Sequence, residues 1–283
     1  MHSSLKIKEP WLTIITVTYN SSSVIQDFIS SLPVHEKDNV EVIFVDNNSQ
    51  DDSVSIIKKN DCRVLSLESN VGFGAANNKG AACAKTDFLF FVNPDCQFES
   101  DTLAQMKKGI DNHPDAVAFN PRIINNGKPY FRQRSNLLPK SKHWNGPFPK
   151  KDAIVPILSG SSILCARDLF EEIKGFDDNI FLYYEDDDIS LRFAKKGTLM
   201  MIYDAVIHHH FGHASGRDPK TAWFKGYHMT RSLAYASRKH GLSWSSNKQK
   251  VKLYLSFLMP HILFNKRRRS KYLGMLKGLS EVT

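Results

Sequence analysis

Cysteine is scarce in this sequence, and the few cysteines are not spaced as a zinc site or a disulfide framework requires. The four are Cys62, Cys83, Cys96 and Cys165, and they include no C-x-x-C pair. Three of them lie in apolar or helical-looking stretches, where a thiol packs as a small hydrophobic group. The first ten residues contain lysines but no apolar run, so we expect neither a signal peptide nor an N-terminal membrane anchor. These absences are typical of a protein of the reducing cytoplasm.

Acidic residues are missing from the C-terminal part of the chain. Residues 219–280 contain no Asp or Glu, whereas Lys and Arg occur there fourteen times, against a net charge of +9 for the whole chain. A basic surface of this kind is typical of contact with the phosphates of anionic lipid or nucleic acid. A basic face that is merely solvated is the alternative.

An apolar run long enough to span a bilayer is also missing. Residues 251–264 are strongly apolar, but the segment has fourteen residues and contains Lys252 and Pro260. Four consecutive basic residues follow at 266–269. Together these signals predict that residues 219–283 form a helical basic region that binds an anionic membrane surface peripherally. Packing of the same segment on the protein body is an equal alternative.

Apolar strands alternate with amphipathic helices through the first part of the chain. Residues 12–18 and 40–45 are short runs of β-branched residues, and residues 23–32 between them have helical spacing after a serine cap. The same patterns predict helices over 51–59, 74–85 and 101–112 and strands over 63–67 and 88–92. This alternation predicts an α/β fold with a parallel, doubly wound sheet.

A loop divides the predicted fold. Residues 120–151 are rich in Pro, Asn, Gly and basic residues, which predicts a long loop. Beyond it, the patterns predict a strand over 154–165, a helix over 186–196, a strand over 199–203 and a helix over 219–240. We therefore expect one catalytic domain over 11–218, with a nucleotide-binding half over 11–119 and an acceptor and catalytic half over 152–218.

Polar residues follow four of the predicted strands at the point where each strand ends. They are Thr18, Tyr19 and Asn20, then Asp46 and Asn48, then Asn70, Gly74 and Asn78, and finally Asn93 and Asp95. The carboxyl ends of the strands of an open α/β sheet are where ligands bind. Asp46 can accept a hydrogen bond from a base or a ribose, and the small residues at the helix start after Asn70 suit a phosphate. The pattern predicts a nucleotide site, and the lack of glycine after the first strand argues against a dinucleotide-type redox site.

Three further groups of side chains suggest catalysis or metal binding. Asp95 is a candidate ligand for Mg²⁺ or Mn²⁺, with a turn cap as the alternative. Residues 185–188 are four consecutive carboxylates before an apolar helical pattern; capping explains one or two of them, and one can act as a general base. On a strand, His208 and His210 would share a face, where a ligand or phosphate role is as probable as a structural one.

At these positions the sequence resembles the family 2 glycosyltransferases of GT-A fold, especially bacterial rhamnosyltransferase-like enzymes of surface-polysaccharide assembly. The motifs are VTYN, VDNNS, NVGFGAANNKG, NPD in place of DxD, the GSSILC to EDDDISLR block and the histidines after it, over about residues 12–240. The resemblance implies a metal-dependent, inverting transfer of rhamnose or another hexose from a dTDP- or UDP-linked donor. The acceptor would be a hydroxyl of a glycan or lipid-linked glycan, at the inner face of the cytoplasmic membrane.

The resemblance also implies residue roles. Donor contacts would come from Thr18, Tyr19, Asn20, Asp46, Asn48, Asn70, Gly74, Asn78 and Asn93. Asp95 would bind the metal with His208 or His210, and Asp186 would be the catalytic base. The acceptor side would contain Gly160, Ser161, Glu185 and Asp188. Asn93 replaces the first carboxylate of the DxD motif, and the extra Asp187 leaves open a shift of the base by one residue.

Two other classes of function compete with this one. A nucleic-acid-binding protein would use the basic region with its interleaved aromatic residues, but it leaves the carboxylate run unexplained. A sugar-nucleotide pyrophosphorylase would share the nucleotide domain, but it should carry a glycine-rich basic loop after the first strand, which this chain lacks. We therefore expect no nucleic-acid partner.

Overall fold

One mixed sheet lies at the centre of the protein, which is described by a computed structural model over residues 10–33, 40–209 and 218–282. Its strands are β1 (Leu12–Thr18), β2 (Val40–Asp46), β3 (Arg63–Ser66), β4 (Phe88–Val92), β5 (Cys96–Phe98), β6 (Ala116–Asn125), β7 (Lys128–Tyr130), β8 (Ala153–Ile154), β9 (Ser162–Ala166) and β10 (Thr198–His209). Their order is β3-β2-β1-β4-β9-β6-β10-β5, with β7 beside β6 and β8 beside β10. Strands β1 to β4, β6 and β10 run in one direction, and the other described strands run in the opposite one.

Helices cover both faces of this sheet. They are α1 (Ile25–Ser31), α2 (Ser53–Lys59), α3 (Phe73–Ala81), α4 (Thr102–Asn112), α5 (Arg167–Glu172) and α6 (Glu185–Phe193), followed by α7 (Pro219–Lys239), α8 (Ser246–Phe257), α9 (Pro260–Leu263) and α10 (Lys266–Ser280). Along β1, Ile15 and Val17 join the core that contains residues of α3, α5 and α6, whereas Ile14 joins the core with residues of α1 and α4. Alternate side chains of one strand therefore enter two cores, each large side chain contributing about 1.5–3 kcal/mol. The predicted doubly wound, mostly parallel α/β fold is confirmed.

The prediction of a loop from residue 120 onward is wrong at its beginning. Strand β6 continues to Asn125 and pairs with β7 in a hairpin. The turn residues Asn126 and Gly127 both have positive φ, 49° and 71°. An Asn-Gly pair favours this two-residue hairpin turn, so the signal was present in the sequence.

Two other predicted strands differ in extent from the observed ones. The stretch predicted as a strand over 154–165 contains only β8 and β9. Two amides between these strands bond to side chains instead of a neighbouring strand: Leu158 N donates to Ser190 Oγ, and Ser159 N to Asn120 Oδ1. Strand β10 extends past the predicted end at residue 203 to His209, with an irregularity in its pairing between Ile202 and Val206.

The C-terminal region is a helical appendage, as predicted, and its helices α7 and α10 pack backbone against backbone. A Cβ atom on Gly226 would collide with the carbonyl oxygen of Lys271, and one on Gly274 with that of Trp223. Glycine at such positions lets two helices approach closely. No helix within the described ranges combines the length and the apolar character needed to cross a membrane.

Candidate active site

The ends of β1 and β2 form a hydrogen-bonded unit around Asp46. Thr18 Oγ1 donates to Asp46 Oδ1 at 3.1 Å, and Ser49 N donates to Asp46 Oδ2 at 3.0 Å. Asn20 and Asn48 turn the chain at these strand ends with φ of 53° and 66°, a conformation that asparagine tolerates better than most residues. Tyr19 follows Thr18 and is 43% exposed, so a ligand can reach it. The donor residues predicted at the ends of β1 and β2 therefore lie together.

Asn47 is a site residue that the sequence analysis did not single out. Its buried side-chain amide donates to Asn70 Oδ1 at 2.9 Å and to Gly72 O at 3.2 Å, and its Oδ1 accepts from Val71 N at 2.9 Å. Asn47 thus fixes the turn before α3 against the end of β2. Its position next to Asp46 in the VDNNS motif could have identified Asn47 from the sequence.

Gly74 and Asn78 were predicted to contact the donor, but the structure gives both a packing role. A Cβ atom on Gly74 would lie 2.9 Å from Cβ of Phe176. The side-chain amide of Asn78 donates to Phe176 O at 2.8 Å and Asp178 Oδ1 at 2.9 Å, and its Oδ1 accepts from Phe176 N at 2.9 Å. The two residues thus hold α3 against the segment that precedes α6, and their contact with the donor stays a prediction.

The histidine next to Asp95 is His209, not His208. Strand β10 runs antiparallel to β5 with His209 opposite Cys96 and His208 opposite Gln97, so the two histidines point to opposite sides. His209 Nε2 lies 3.1 Å from Asp95 Oδ1, and both side chains are buried. His208 Nε2 instead lies 3.0 Å from the exposed Glu99 carboxylate. The predicted pairing of His208 with Asp95 is thus corrected, and His210 lies outside the described residues.

The Asp95 turn has donor atoms that suit a hard divalent cation. Single ligand atoms of Asp95, Cys96 and His209 all lie within 4.8 Å of one another. Mn²⁺ and Mg²⁺ favour carboxylate oxygen, and Mn²⁺ also accepts imidazole nitrogen, whereas thiolate suits softer metals. The buried Oδ1 of Asn93 has no hydrogen-bond partner within the described part of the chain. Asp95 and His209 therefore fit a metal site, with the Asn93 oxygen beside it.

The candidate base Asp186 is held by an arginine that the sequence analysis missed. Arg132 Nη1 donates to Asp186 Oδ2 at 2.5 Å, and Nη2 donates to both oxygens of Asp187 at 2.8 and 2.7 Å. Burial disfavours the charged guanidinium, but Asp186 and Asp187 outweigh burial and raise the pKa of Arg132. No sequence signal marked this contact, because Arg132 is one of several basic residues in an irregular segment.

Two of the carboxyl groups beside Asp186 have raised pKa values. Burial raises the pKa of Glu185 to about 8, and the charge of Asp186 adds to the shift. The Glu185 Oε2 atom is buried without a hydrogen-bond partner among the residues described. Burial and Asp186 also raise the pKa of Asp187, although Arg132 opposes that shift. Unpaired burial disfavours the charged form of Glu185, so this group keeps its proton near neutral pH.

The predicted acceptor-side role of Asp188 is contradicted by its contacts. Asp188 is fully buried, with Oδ1 at 2.7 Å from Lys239 Nζ and 2.9 Å from His240 Nε2, while Oδ2 accepts from Arg192 Nε at 2.9 Å. Burial alone would raise its pKa, but His240, Arg192 and Lys239 hold the pKa of Asp188 below its usual value. Through Lys239 and His240, Asp188 therefore joins α6 to the end of α7. It points away from Asp186 because a helix directs successive side chains to different faces.

The segment of Gly160 and Ser161 joins the Asp95 turn to the candidate base. Gly160 N donates to Asp186 Oδ2 at 3.1 Å, and a Cβ atom on Gly160 would lie only 2.8 Å from Asp186 Cβ. Ser161 O accepts from Asn93 N at 2.9 Å. The two predicted sites thus meet through adjacent residues of one loop.

Asp186 lines a pocket of about 380 Å³. Arg132, Tyr183, Tyr184 and Glu185 also line it. Tyr183 and Tyr184 have φ of 67° and 69°, which is unusual for bulky residues and strained. The start of α6 is thus held in a costly conformation at the point where its carboxylates meet the pocket.

Known proteins are similar to this chain over most of its length. The family model "Glycosyl transferase family 2" matches residues 13–174. The chain is 27% identical over 263 residues to the N-acetylglucosaminyl-diphospho-decaprenol L-rhamnosyltransferase of Mycobacterium tuberculosis, covering 81% of this chain and 85% of that protein.

Solved structures share the fold at lower sequence identity. The mannosyltransferase PcManGT from Pyrobaculum calidifontis, in complex with GDP-Man and Mn²⁺, has a TM-score of 0.60 at 16% identity, covering 97% of this chain and 88% of that one. S. aureus TarS 1-349 in complex with UDP has a TM-score of 0.57 at 21% identity, covering 90% and 72%. The chain spans 44% of a longer TarS structure. Because the family model matches more than half of the chain, this chain belongs to glycosyltransferase family 2.

Proposed function

We propose that the protein is an inverting glycosyltransferase that moves rhamnose or another hexose from a dTDP- or UDP-linked donor to a hydroxyl of a glycan or lipid-linked glycan in bacterial surface-polysaccharide synthesis. The observation that carries the proposal is the junction at Gly160 and Ser161, which contacts both Asp186 and the Asn93 backbone. A general base and a diphosphate site must lie this close for one displacement at a sugar carbon. Residues 11–218 would form the catalytic domain and residues 219–283 its appendage.

In this reaction Asp186 is the catalytic base. It takes the proton of the acceptor hydroxyl, whose oxygen forms a bond to the anomeric carbon as the bond from that carbon to the diphosphate oxygen breaks. Attack opposite the leaving group inverts the configuration at this carbon. Arg132, anchored on Asp187, keeps Asp186 oriented before the acceptor arrives.

The donor side would use the strand ends. Asp46, oriented by Thr18 and by Ser49 N, would accept hydrogen bonds from the base or ribose of the nucleotide. Asn93 would contact the donor, and Asp95 with His209 would hold Mn²⁺ or Mg²⁺. When bound, such an ion supplies positive charge that stabilises the departing nucleoside diphosphate.

The acceptor and the location are proposed together. The mycobacterial relative is named for an acceptor that carries a diphospho-decaprenol, which supports a lipid-linked glycan here. Such an acceptor would place this enzyme in the cytoplasm, at the inner face of the cytoplasmic membrane, with an anionic membrane surface as partner. The proposal assigns no role to nucleic acid.

A small panel of nucleotide sugars tests the proposal. In the presence of Mn²⁺, one dTDP- or UDP-linked sugar should raise the melting temperature, because a ligand that binds only the folded state stabilises it. With an acceptor glycan, the product should be a nucleoside diphosphate, and a chelator should abolish its release. Pyrophosphate as the product, or turnover that resists the chelator, would contradict the transfer or the metal dependence respectively.

A further inference from the structure

Helices α8 and α9 and the residues that end them expose several large apolar side chains. Val251, Tyr254 and Leu255 of α8 and Leu258 at its C-cap are spaced as one helical stripe and are all exposed, Leu258 at 75%. The surface continues through Met259, Leu263 and Phe264, the last exposed at 84%. We call these seven residues the α8–α9 apolar face.

This exposure does not reflect poor attachment of the two helices. Leu253 on the other side of α8 and Ile262 on α9 are 5% and 1% exposed, so both helices bury one side. The rings of Phe257 and Tyr272 meet edge to face at 6.0 Å and join α8 to α10. The helices are therefore fixed on the protein with the α8–α9 apolar face turned to solvent. Contiguous apolar surfaces of this kind usually mark an interaction site.

Positive charge surrounds this face. Lys248 and Lys252 are exposed on α8, and residues 266–269, all Lys or Arg, are exposed at the start of α10. Residues 219–280 contain no acidic residue to offset them. A second copy of this chain would bring like charges against these groups, and nucleic acid would leave the apolar side chains unused. An anionic bilayer satisfies both the charges and the apolar side chains.

One of these basic residues, Arg267, lies within electrostatic range of a residue that lines the pocket of Asp186. Burial raises the pKa of Tyr183, which lines the pocket, to about 12, and the positive charge of Arg267 at the start of α10 acts in the opposite direction. Met229 of α7, the helix packed on α10, also lines the pocket. The basic start of α10 therefore follows the α8–α9 apolar face directly in sequence, and Arg267 within it acts on Tyr183 at the pocket.

We propose that the α8–α9 apolar face inserts between the head groups of an anionic bilayer while the basic start of α10 contacts the lipid phosphates beside the pocket. The proposal deepens the membrane location given above and rests on it. It explains how an acceptor held in the membrane by its lipid would reach Asp186 without leaving the bilayer. It also assigns a use to seven exposed apolar side chains that the transfer reaction does not need.

Vesicle sedimentation of the full chain tests this surface. The wild-type protein should bind vesicles that contain phosphatidylcholine and phosphatidylglycerol, and it should bind vesicles of phosphatidylcholine alone much more weakly. Added salt should weaken binding to the anionic vesicles. The double variant Leu258→Glu with Phe264→Glu should bind about tenfold or more weakly, because two charges would have to enter the interface. Ile154→Glu, at a residue 59% exposed on β8, should bind like wild type.

Several outcomes would overturn the proposal. They are wild-type protein that ignores anionic vesicles, or a glutamate double variant that binds as well as Ile154→Glu. Dimers in light scattering that disappear in the double variant, without vesicle binding, would assign the face to a second copy. Should the glutamate variant not fold, Leu258→Ala with Phe264→Ala must still show a measurable loss of binding.

Failure of the proposed function would look different. Vesicle binding requires no substrate, and nucleoside diphosphate release with a water-soluble acceptor requires no lipid. Wild-type protein that binds anionic vesicles but transfers no sugar would contradict the function and leave the docking surface intact. Wild-type protein that transfers sugar to a soluble acceptor but binds no vesicles would contradict the docking surface and leave the proposed function intact.

Discussion

The run of four acids at the start of α6 divides into two regions with opposite electrostatics. Glu185 and Asp187 are buried beside the pocket with raised pKa values, and Asp186 lies between them against Arg132. One residue further on, Asp188 is surrounded by cations and its pKa is lowered. The environment thus suits one part of the run to the proposed catalysis and the other to the attachment of α7.

This comparison teaches that adjacent carboxylates in a sequence need not share a site. A helix turns by about 100° per residue, so the side chain of Asp188 faces α7 while that of Asp186 faces the loop with Gly160. Amide substitutions remove the charge and keep the shape. They therefore separate the two regions experimentally.

The largest effect is expected for Asp186→Asn. Nucleoside diphosphate release should fall by about 10²–10⁴-fold, because an amide cannot take the acceptor proton. The free energy of unfolding should change by less than about 1 kcal/mol, since Arg132 keeps its two bonds to Asp187. Asp168→Asn, on the exposed side of α5, is the matched control. A larger loss in Asp187→Asn than in Asp186→Asn would move the base by one residue.

Asp188→Asn should affect folding instead. We expect a loss of about 1–3 kcal/mol in urea unfolding, because the half-buried Arg192 and His240 would lose their charged hydrogen-bond partner. The pKa of Asp188 is lowered in the folded protein, so this stabilisation is present above the ordinary aspartate pKa and is lost on acidification. Turnover per folded molecule should stay near wild type. A stable but inactive variant would restore Asp188 to the acceptor side.

Arg132→Gln should sharpen the comparison on the pocket side. Without its cation, Asp186 loses an orienting contact and gains repulsion from Asp187, so turnover should fall by about 10–100-fold. Lys142→Gln, an exposed charge loss in the same irregular segment, should keep wild-type turnover. Wild-type turnover in Arg132→Gln would contradict the orienting role.

The smallest effect concerns Glu185. Its pKa is raised from 4.5 to about 8, so between these values the unfolded chain holds fewer protons and rising pH destabilises the folded protein. Glu185→Gln should remove this dependence on pH. In wild type we expect the free energy of unfolding in urea to be lower at pH 8 than at pH 5 by at least about 1 kcal/mol from this group, and in Glu185→Gln this difference should disappear. The exposed Glu68→Gln should unfold with the pH dependence of wild type. An equal slope in Glu185→Gln and wild type would mean that Glu185 ionises normally.

Local patterns predicted the sheet and the strand-end residues well, because they depend on periodicity and on where buried strands stop. The helix starts, the doubly wound topology and the approach of Thr18 to Asp46 all follow from the first hundred residues. The Asn126-Gly127 turn could also have been found, since this pair favours a two-residue hairpin.

Tertiary contacts decided what the sequence could not. Whether His208 or His209 meets Asp95 depends on the register between β10 and β5, which no local pattern contains. Arg132 reaches Asp186 across 54 residues of sequence, and Asp188 reaches His240 across 52. For the C-terminal region the sequence left both membrane contact and packing open. The structure shows α8 and α9 burying one side while exposing the other.

The most direct test measures turnover and unfolding on the same preparations of Asp186→Asn and Asp188→Asn. We predict opposite results: Asp186→Asn should lose nucleoside diphosphate release and keep its stability, and Asp188→Asn should lose stability and keep turnover per folded molecule. If both variants lose turnover while both stay stable, or if Asp186→Asn turns over normally, the division of the acidic run between catalysis and folding is contradicted.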